Sequence, residues 1–220
     1  MTAKLTSVQV GRIAPLGPER VPSGFIKLPA STRVNVGKLG LAGDEQADLA
    51  VHGGTEKAVY GYALRHYSVW RTEYPEHGEI LHPGAFGENL TIDGISEEDL
   101  FVGDVHRIGN AVLQVCQPRQ PCYKFALHFN DNRLPKAMVK SGRAGWYYRV
   151  LEAGDLGAAD EIHLIDRPQP DFRFSRLVSI VNHGQASADE LHALASMPEV
   201  AAWLRKMAQP MMCKEASPSL

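Results

Sequence analysis

Cys122, in the segment CQPRQPCYK at residues 116–124, is the residue of this chain whose surroundings best suit chemistry. Prolines at 118 and 121 oppose a regular helix or a central strand, so the segment is expected as an ordered loop at the surface or in a cleft. Arg119 and Lys124 are close in sequence, and Arg143 is further along. Positive charge favours thiolate over thiol, and the thiolate is both the nucleophile and the soft metal ligand. Cys116, at the end of the apolar run before it, reads as an interior thiol. The spacing alone leaves a second reading of Cys122 open, as one more small buried hydrophobe, since free cysteine is among the most buried residue types. Cys213, beside Met211 and Met212, carries no functional expectation.

Two further clusters could bring backbone close to a ligand. Val51-His52-Gly53-Gly54 precedes Thr55, Glu56 and Lys57, where a helix start is expected. Glycines admit close approach, a helix N-terminus offers free N–H groups to an anion, and Lys57 adds a full charge. The GxxxxGK[ST] spacing of a phosphate-binding loop is absent, and a plain turn remains an alternative. In Gly84-Ala85-Phe86-Gly87-Glu88-Asn89-Leu90, glycines flank an acid and an amide that can both donate and accept. A tight turn with Asn89 fixing its own backbone reads equally well. Asp104 reads as a turn residue, and His66, His82, His106 and His128 lack any paired metal-ligand spacing.

The elements that must hold these groups are mostly short. Leu5 to Ala14 reads as a strand, followed by a Pro/Gly turn at Pro15–Pro18. Residues 27–54 suggest short strands with tight connections. From Lys57, the sequence AVYGYALRHYSVWRTEYP places Val59, Tyr62, Ala63, His66, Tyr67 and Trp70 at spacings of three and four, predicting an amphipathic helix that ends before Pro75. VGDVHRIG and AVLQVCQ predict a hairpin about Gly109-Asn110. Many short strands with glycine turns favour a mainly β fold, a barrel or sandwich, with peripheral helices. A strand IHLI closes this region, and Pro168-Gln169-Pro170 reads as a linker. Beyond it, helices are predicted at 176–183, from Ser187 with Glu190 completing a capping box, and at 199–208 with Val200, Trp203, Leu204 and Met207 on one face. The expected organisation is a β-barrel domain over 1–168, a small helical domain over 171–210, and a disordered tail over 211–220.

The bulk properties narrow the class of protein. A formal net charge of −2 gives no general reason to expect nucleic-acid binding. No stretch approaches the about 18 apolar residues of a membrane span, and the N-terminus lacks a secretory apolar core, so a cytoplasmic location is expected. Three cysteines without a CxxC pair argue against a disulfide framework, a zinc ribbon or a four-cysteine iron–sulfur cluster.

Taken in order, GLAGDEQADLAVHGGTEKAVYGY, PGAFGENLTIDG, VGDVHRIGNAVLQVCQPRQPCYKF and SGRAGWYYRVLEAGDL resemble the successive signature blocks of the MOSC-domain family, in its bacterial YiiM type, from about residue 5 to residue 210. The resemblance implies a MOSC-type β-barrel with a C-terminal helical domain, holding a molybdenum–molybdopterin cofactor whose metal is bound by Cys122. It implies a cofactor site at His52, Gly53, Gly54 and Lys57, at Glu88 and Asn89, and at Arg119, Tyr123 and Lys124 beside the cysteine. Lys57, Arg119, Lys124 and Arg143 are the candidates for the pterin phosphate.

The activity implied is reduction of N-hydroxylated small molecules, hydroxylaminopurines among them. With no cysteines for an iron–sulfur domain and no GxGxxG after a strand, an external electron-donor protein of the flavoprotein class is expected. Neither nucleic acid nor membrane is an expected partner, and a homodimer is left open. Two alternatives use the same thiolate: a carrier or storage protein for the cofactor, and a sulfur carrier through a Cys122 persulfide.

Overall fold

The computed structural model describes residues 3–49 and 52–215, the stretch beyond 209 by its backbone alone. The first third of the chain is β1 (Ala3–Val10), the hairpin β2 (Ala14–Leu16) and β3 (Val21–Ser23), β4 (Leu28–Pro29), β5 (Val34–Gly37) and β6 (Gly40–Leu41). Then come β7 (Val59–Ala63), α1 (His66–Glu73), β8 (Leu90–Asp93), β9 (Val105–Ile108), β10 (Ala111–Pro118), α2 (Tyr123–Phe129) and α3 (Arg133–Ser141). The last third is β11 (Trp146–Glu152), β12 (Gly154–Leu156), β13 (Glu161–Asp166), α4 (Phe174–His183), α5 (Ala188–Ser196) and α6 (Ala202–Glu215).

Seven strands close into a barrel in the order β13-β9-β10-β11-β7-β8-β1, with β1 pairing back to β13. Closure removes the free sheet edges that would otherwise template aggregation. Every neighbouring pair is antiparallel except β7 and β8, which run parallel. A parallel pair requires a crossover, and here it consists of α1 and the loop ending at Asn89. The expected hairpin is present: Ala111 faces Ile108 across Gly109-Asn110, and Gly109 takes φ 56° as the turn requires.

The segment after Lys57 corrects the helical expectation. Its first half is strand β7, and only from His66 does the chain turn helical. All five residues of β7 are buried, because the strand lies between β11 and β8 with both faces covered. Such a strand has no polar side and reads as an apolar run, which periodicity cannot separate from a helix. The predicted helix start at Lys57 shrinks accordingly to a single 3-10 turn, Thr55–Lys57.

The interior has two parts. Aliphatic residues of the barrel, such as Val59, Leu113 and Ile108, form one cluster with Phe174, Leu177, Leu194 and Leu204 of the C-terminal helices. That shared core seats α4–α6 against the barrel. The second cluster is aromatic and lies between α1, the 84–89 loop and helices α2 and α3. Phe86 sits at its centre, 4.7 Å from Tyr62 and 5.4 Å from Phe125, ring centroid to centroid. The capping box is complete at α5: Ser187 Oγ accepts from the Glu190 amide, and Glu190 accepts from the Ser187 amide. The backbone of α6 runs on through 211–215, where the tail was expected to begin, and 216–220 lie outside the described residues. Among the described residues no helix is long and apolar enough to cross a membrane.

Candidate functional site

β10 runs out at Pro118, and the chain loops through Arg119 to Cys122 before α2 begins. The loop lies beside Tyr147 on β11 and Tyr60 on β7, which line the same pocket. Cys122 caps α2 in extended conformation and is half-buried, with its carbonyl accepting from the Phe125 amide at 3.0 Å. Burial pushes its thiol up. A hydrogen bond from His52, the Arg119 charge and the Lys124 backbone N–H outweigh that, and the thiol is drawn down to about 6. Cys122 is thus a thiolate near neutral pH. Cys116 is the opposite case: full burial pushes it up to about 12.

Arg119 is the second element of the site. It is buried, its Nη1 donates to the Phe86 carbonyl at 2.9 Å, and its guanidinium lies 4.7 Å from the Tyr60 ring centroid. Among the described residues no carboxylate forms an ion pair with it, and the Cys122 thiolate is the anion whose charge acts on it. A buried cation without a carboxylate is costly unless an anion joins it.

Lys57, Lys124 and Lys27 line the same pocket. Lys124 is buried and donates to the Pro22 carbonyl at 3.0 Å. Burial and the Arg119 charge both draw Lys57 below the usual lysine value. Lys27 is likewise drawn down by burial, against the opposing pull of Asp44, with which it forms a short ion pair.

The predicted residues divide into those that reach this pocket and those that do not. His52, Gly53, Lys57, Asn89, Arg119, Cys122 and Lys124 line it. Gly53 has φ 85°, and a Cβ there would press on Gln46 Oε1 at 3.1 Å. Gly54 turns the chain into the 3-10 segment behind it, with φ 83°. Asn89 bridges two walls, accepting from the Tyr60 amide at 3.0 Å and donating to Asp44 at 2.9 Å.

Glu88 lies beneath the pocket instead. It is fully buried, and accepts from the Tyr67 hydroxyl at 2.5 Å, the Gly84 amide at 2.7 Å and the Thr91 hydroxyl at 2.8 Å. It shapes the turn that delivers Asn89. Tyr123 is 61% exposed and does not line the pocket.

Arg143 is set apart. It pairs with Glu73, lies 4.2 Å over the Trp70 ring, and faces a different cleft with His66, Glu97 and Lys140. As a phosphate candidate it is displaced because Gly142 ends α3 in left-handed conformation and turns the chain toward α1.

Sequence reasoning missed Lys27, Asp44, Gln46, Tyr60 and Tyr147. Asp44, Gln46, Tyr60 and Tyr147 lie within the signature segments but carry no spacing that marks them for chemistry. Lys27 lies outside those segments, and the fold brings the five together.

The MOSC domain family matches residues 48–163. The chain is 37% identical over 191 residues to protein YiiM of Escherichia coli, covering 86% of this chain and 85% of that one. It is 36% identical over 197 residues to a protein of Gibberella moniliformis named a reductase, covering 88% of this chain but only 35% of that longer protein. The crystal structure of YiiM from Geobacillus stearothermophilus superposes with a TM-score of 0.80 at 31% identity, covering 96% of this chain and 99% of that one. In sequence and fold, this chain belongs to the MOSC-domain family and is similar to its YiiM members.

Proposed function

We propose that the protein is a molybdenum-cofactor-dependent reductase of N-hydroxylated small molecules, with Cys122 as the protein ligand to the metal. The observation that carries this reading is the meeting, in one pocket, of a low-pKa thiolate with a buried arginine that lacks a carboxylate partner. A molybdenum–molybdopterin cofactor would offer what that pocket lacks, a thiophilic metal for the thiolate and a phosphate for the cations. Lys27, Lys57, Arg119 and Lys124 would hold the anionic part, and Asn89 with the Gly53 backbone would border the ring system. When bound, the cofactor supplies two-electron redox chemistry at the metal.

The chain's own residues prepare the site. His52 donates to the Cys122 sulfur and, with Arg119, keeps it deprotonated and able to ligate. Arg119, held by the Phe86 carbonyl and the Tyr60 face, presents a charge whose direction is fixed before any ligand arrives. Overall, R–NHOH takes two electrons and two protons and leaves as R–NH2 and water. These 220 residues hold three cysteines, too few for a four-cysteine iron–sulfur cluster, and no dinucleotide fingerprint, so in this reading the electrons come from a donor outside them. A protein of the flavoprotein class fits that requirement.

The test is metal and pterin content after expression in a molybdate-replete host that makes the cofactor, beside Cys122→Ala. Near-stoichiometric molybdenum that is lost in the variant, together with amine formation from an N-hydroxylated substrate and a reducing partner, is the expected result. Bound cofactor with no turnover under any donor would leave a carrier. Metal-free protein bearing an extra sulfur on Cys122 by mass spectrometry would replace the reading with sulfur transfer. Turnover with NADPH alone would remove the external donor.

A further inference from the structure

A second chamber, of about 280 Å³, meets the cationic pocket at Cys122. The two spaces share four residues: His52, Lys57, Cys122 and Tyr147. Beyond that common wall their chemistry diverges. The first pocket adds three cations, Lys27, Arg119 and Lys124, against two carboxylates, Asp44 and Glu45, the former paired with Lys27. The second adds Gln117, Pro118, Gln120, Pro121 and Trp203, none of them charged. The first is the more highly charged of the two, and in the second the charged groups are confined to the wall it shares with the first.

Trp203 belongs to α6, far along the chain from the cysteine loop, and several bonds fix it there. The Ala201 amide donates to the Cys116 carbonyl at 3.0 Å. The Ala202 amide donates to the Glu56 carboxylate at 3.0 Å, and Arg149 binds the same carboxylate at 3.1 Å. The indole Nε1 donates to Gln117 Oε1 at 2.5 Å, while Gln117 Nε2 donates to the Glu56 carbonyl at 2.6 Å. The indole is therefore tied along its polar edge, with its ring half-buried at the chamber wall. A pinned aromatic ring is a stacking platform whose ordering cost is met before a ligand binds.

We infer that this chamber is the substrate side of the site, and that Trp203 selects flat, neutral heteroaromatic rings by stacking. The inference rests on the reductase reading, under which the ring carries the N–OH group toward Cys122 and the cofactor fills the cationic pocket. The C-terminal helices are then a specificity element for the barrel.

Two measurements test it. The first needs no turnover. Trp70 and Trp146 are fully buried, so Trp203 is the accessible one of the three tryptophans. Adenine, as a neutral flat probe, is titrated into Cys122→Ser protein. Saturable quenching of tryptophan fluorescence is expected. By calorimetry, Trp203→Ala should weaken adenine binding about tenfold, whereas Trp203→Phe, which keeps a ring but loses the bond to Gln117, should stay close to wild type.

The second measurement compares kcat/KM for a heteroaromatic hydroxylamine with that for an aliphatic N-hydroxyl compound. Trp203→Ala should cut the preference for the ring about tenfold, mainly through KM, and Trp203→Phe should restore it. No saturable quenching by adenine, or an unchanged preference in a folded Trp203→Ala protein, would overturn the inference. If wild-type protein reduces neither substrate, the reductase reading fails, and the adenine titration still decides whether the chamber takes a flat ring.

Discussion

Cys116 and Cys122 stand at the two ends of one short stretch of chain, and the fold drives their thiols in opposite directions, to about 12 and about 6. Cys116 is buried in β10 and donates to the Glu56 carbonyl at 3.1 Å. Cys122 lies beyond Pro118, facing His52 and Arg119. Alkylation by iodoacetamide, followed by peptide mass spectrometry, should separate them. Modification of Cys122 should rise through pH 6 and level off by about pH 7, as its thiolate fraction does. Cys116 should stay unmodified in native protein. A Cys122 profile still rising at pH 8.5 would mean that the surrounding cations do not act on it.

Arg119 should be one source of that shift. Replacing it by Met keeps much of the bulk and removes the charge, so the midpoint of Cys122 alkylation should move upward by about one pH unit or more. Arg119→Lys should recover part of the shift, because charge returns without the planar group that lies over Tyr60. Equal midpoints in wild type and Arg119→Met would assign the lowered pKa to His52 and the Lys124 backbone alone.

Asp44 ties together three parts of the chain that the sequence shows no reason to join. It accepts from the Gly11 amide at 2.8 Å, from Asn89 Nδ2 at 2.9 Å and from Lys27. The Lys27 and Asp44 side chains are only 7% and 3% exposed. Asp44→Ala leaves the Lys27 ammonium buried without its counter-ion, and unfolding free energy from urea titration should fall by about 3–5 kcal/mol. The double variant Asp44→Ala, Lys27→Met should recover a large part of that loss. A loss below about 1 kcal/mol in the single variant would show that water reaches Lys27.

What the sequence disclosed follows from whether a signal is local. The β9–β10 hairpin and the Ser187 cap depend on neighbours within a few residues, and both are present as read. Cys122 was legible because its prolines and flanking cations lie in one segment. β7 was not, since a strand buried on both faces carries no polar alternation, and its Val59, Tyr62 and Ala63 fit a helical period by coincidence. Lys27 lies outside the signature segments, and Asp44 and Tyr147 lie inside them without any spacing that marks them for chemistry; only the fold places all three around one pocket. Arg143 was grouped with Arg119 and Lys124 by proximity in sequence, whereas α3 and its C-terminal turn carry it to a different cleft. Trp203 was read as one residue of an apolar packing face; it does pack against the shared core, and its indole nitrogen also reaches Gln117 beside the cysteine loop.

The cap at Ser187 offers a clean measure of how firmly the C-terminal helices are held. Its Oγ accepts from the Glu190 amide at 3.2 Å, and Glu190 in turn pairs with Arg176 of α4 at 2.6 Å. Ser187→Ala should lower unfolding free energy by about 1 kcal/mol, and Ser187→Asp should restore most of it. Because Leu191 and Leu194 of α5 share a core with the barrel, the loss should appear in a single global transition. A separate early transition would show that α4–α6 unfold on their own.

Acid should destabilise the protein between about pH 6.5 and pH 4 through His106. Burial holds this imidazole down at about 4, with Arg167 acting in the same direction and Asp104 opposing. Its Nδ1 is 2.9 Å from the Tyr148 hydroxyl. In the unfolded chain a histidine titrates near 6.5. Above that pH neither state binds the proton, and the neutral imidazole carries no pH-dependent cost. As pH falls below 6.5 the unfolded state takes up a proton that the folded state resists, so stability declines until the folded imidazole titrates as well. The full effect is at most about 3 kcal/mol, with His128, also held down at about 4 by burial, adding to the same window. His106→Gln removes the titration while keeping a group that can bond Tyr148. The slope of unfolding free energy against pH from 6.5 to 4 should flatten in that variant, leaving the His128 share. An unchanged slope would mean that His106 is protonated in the folded barrel, with Asp104 outweighing burial.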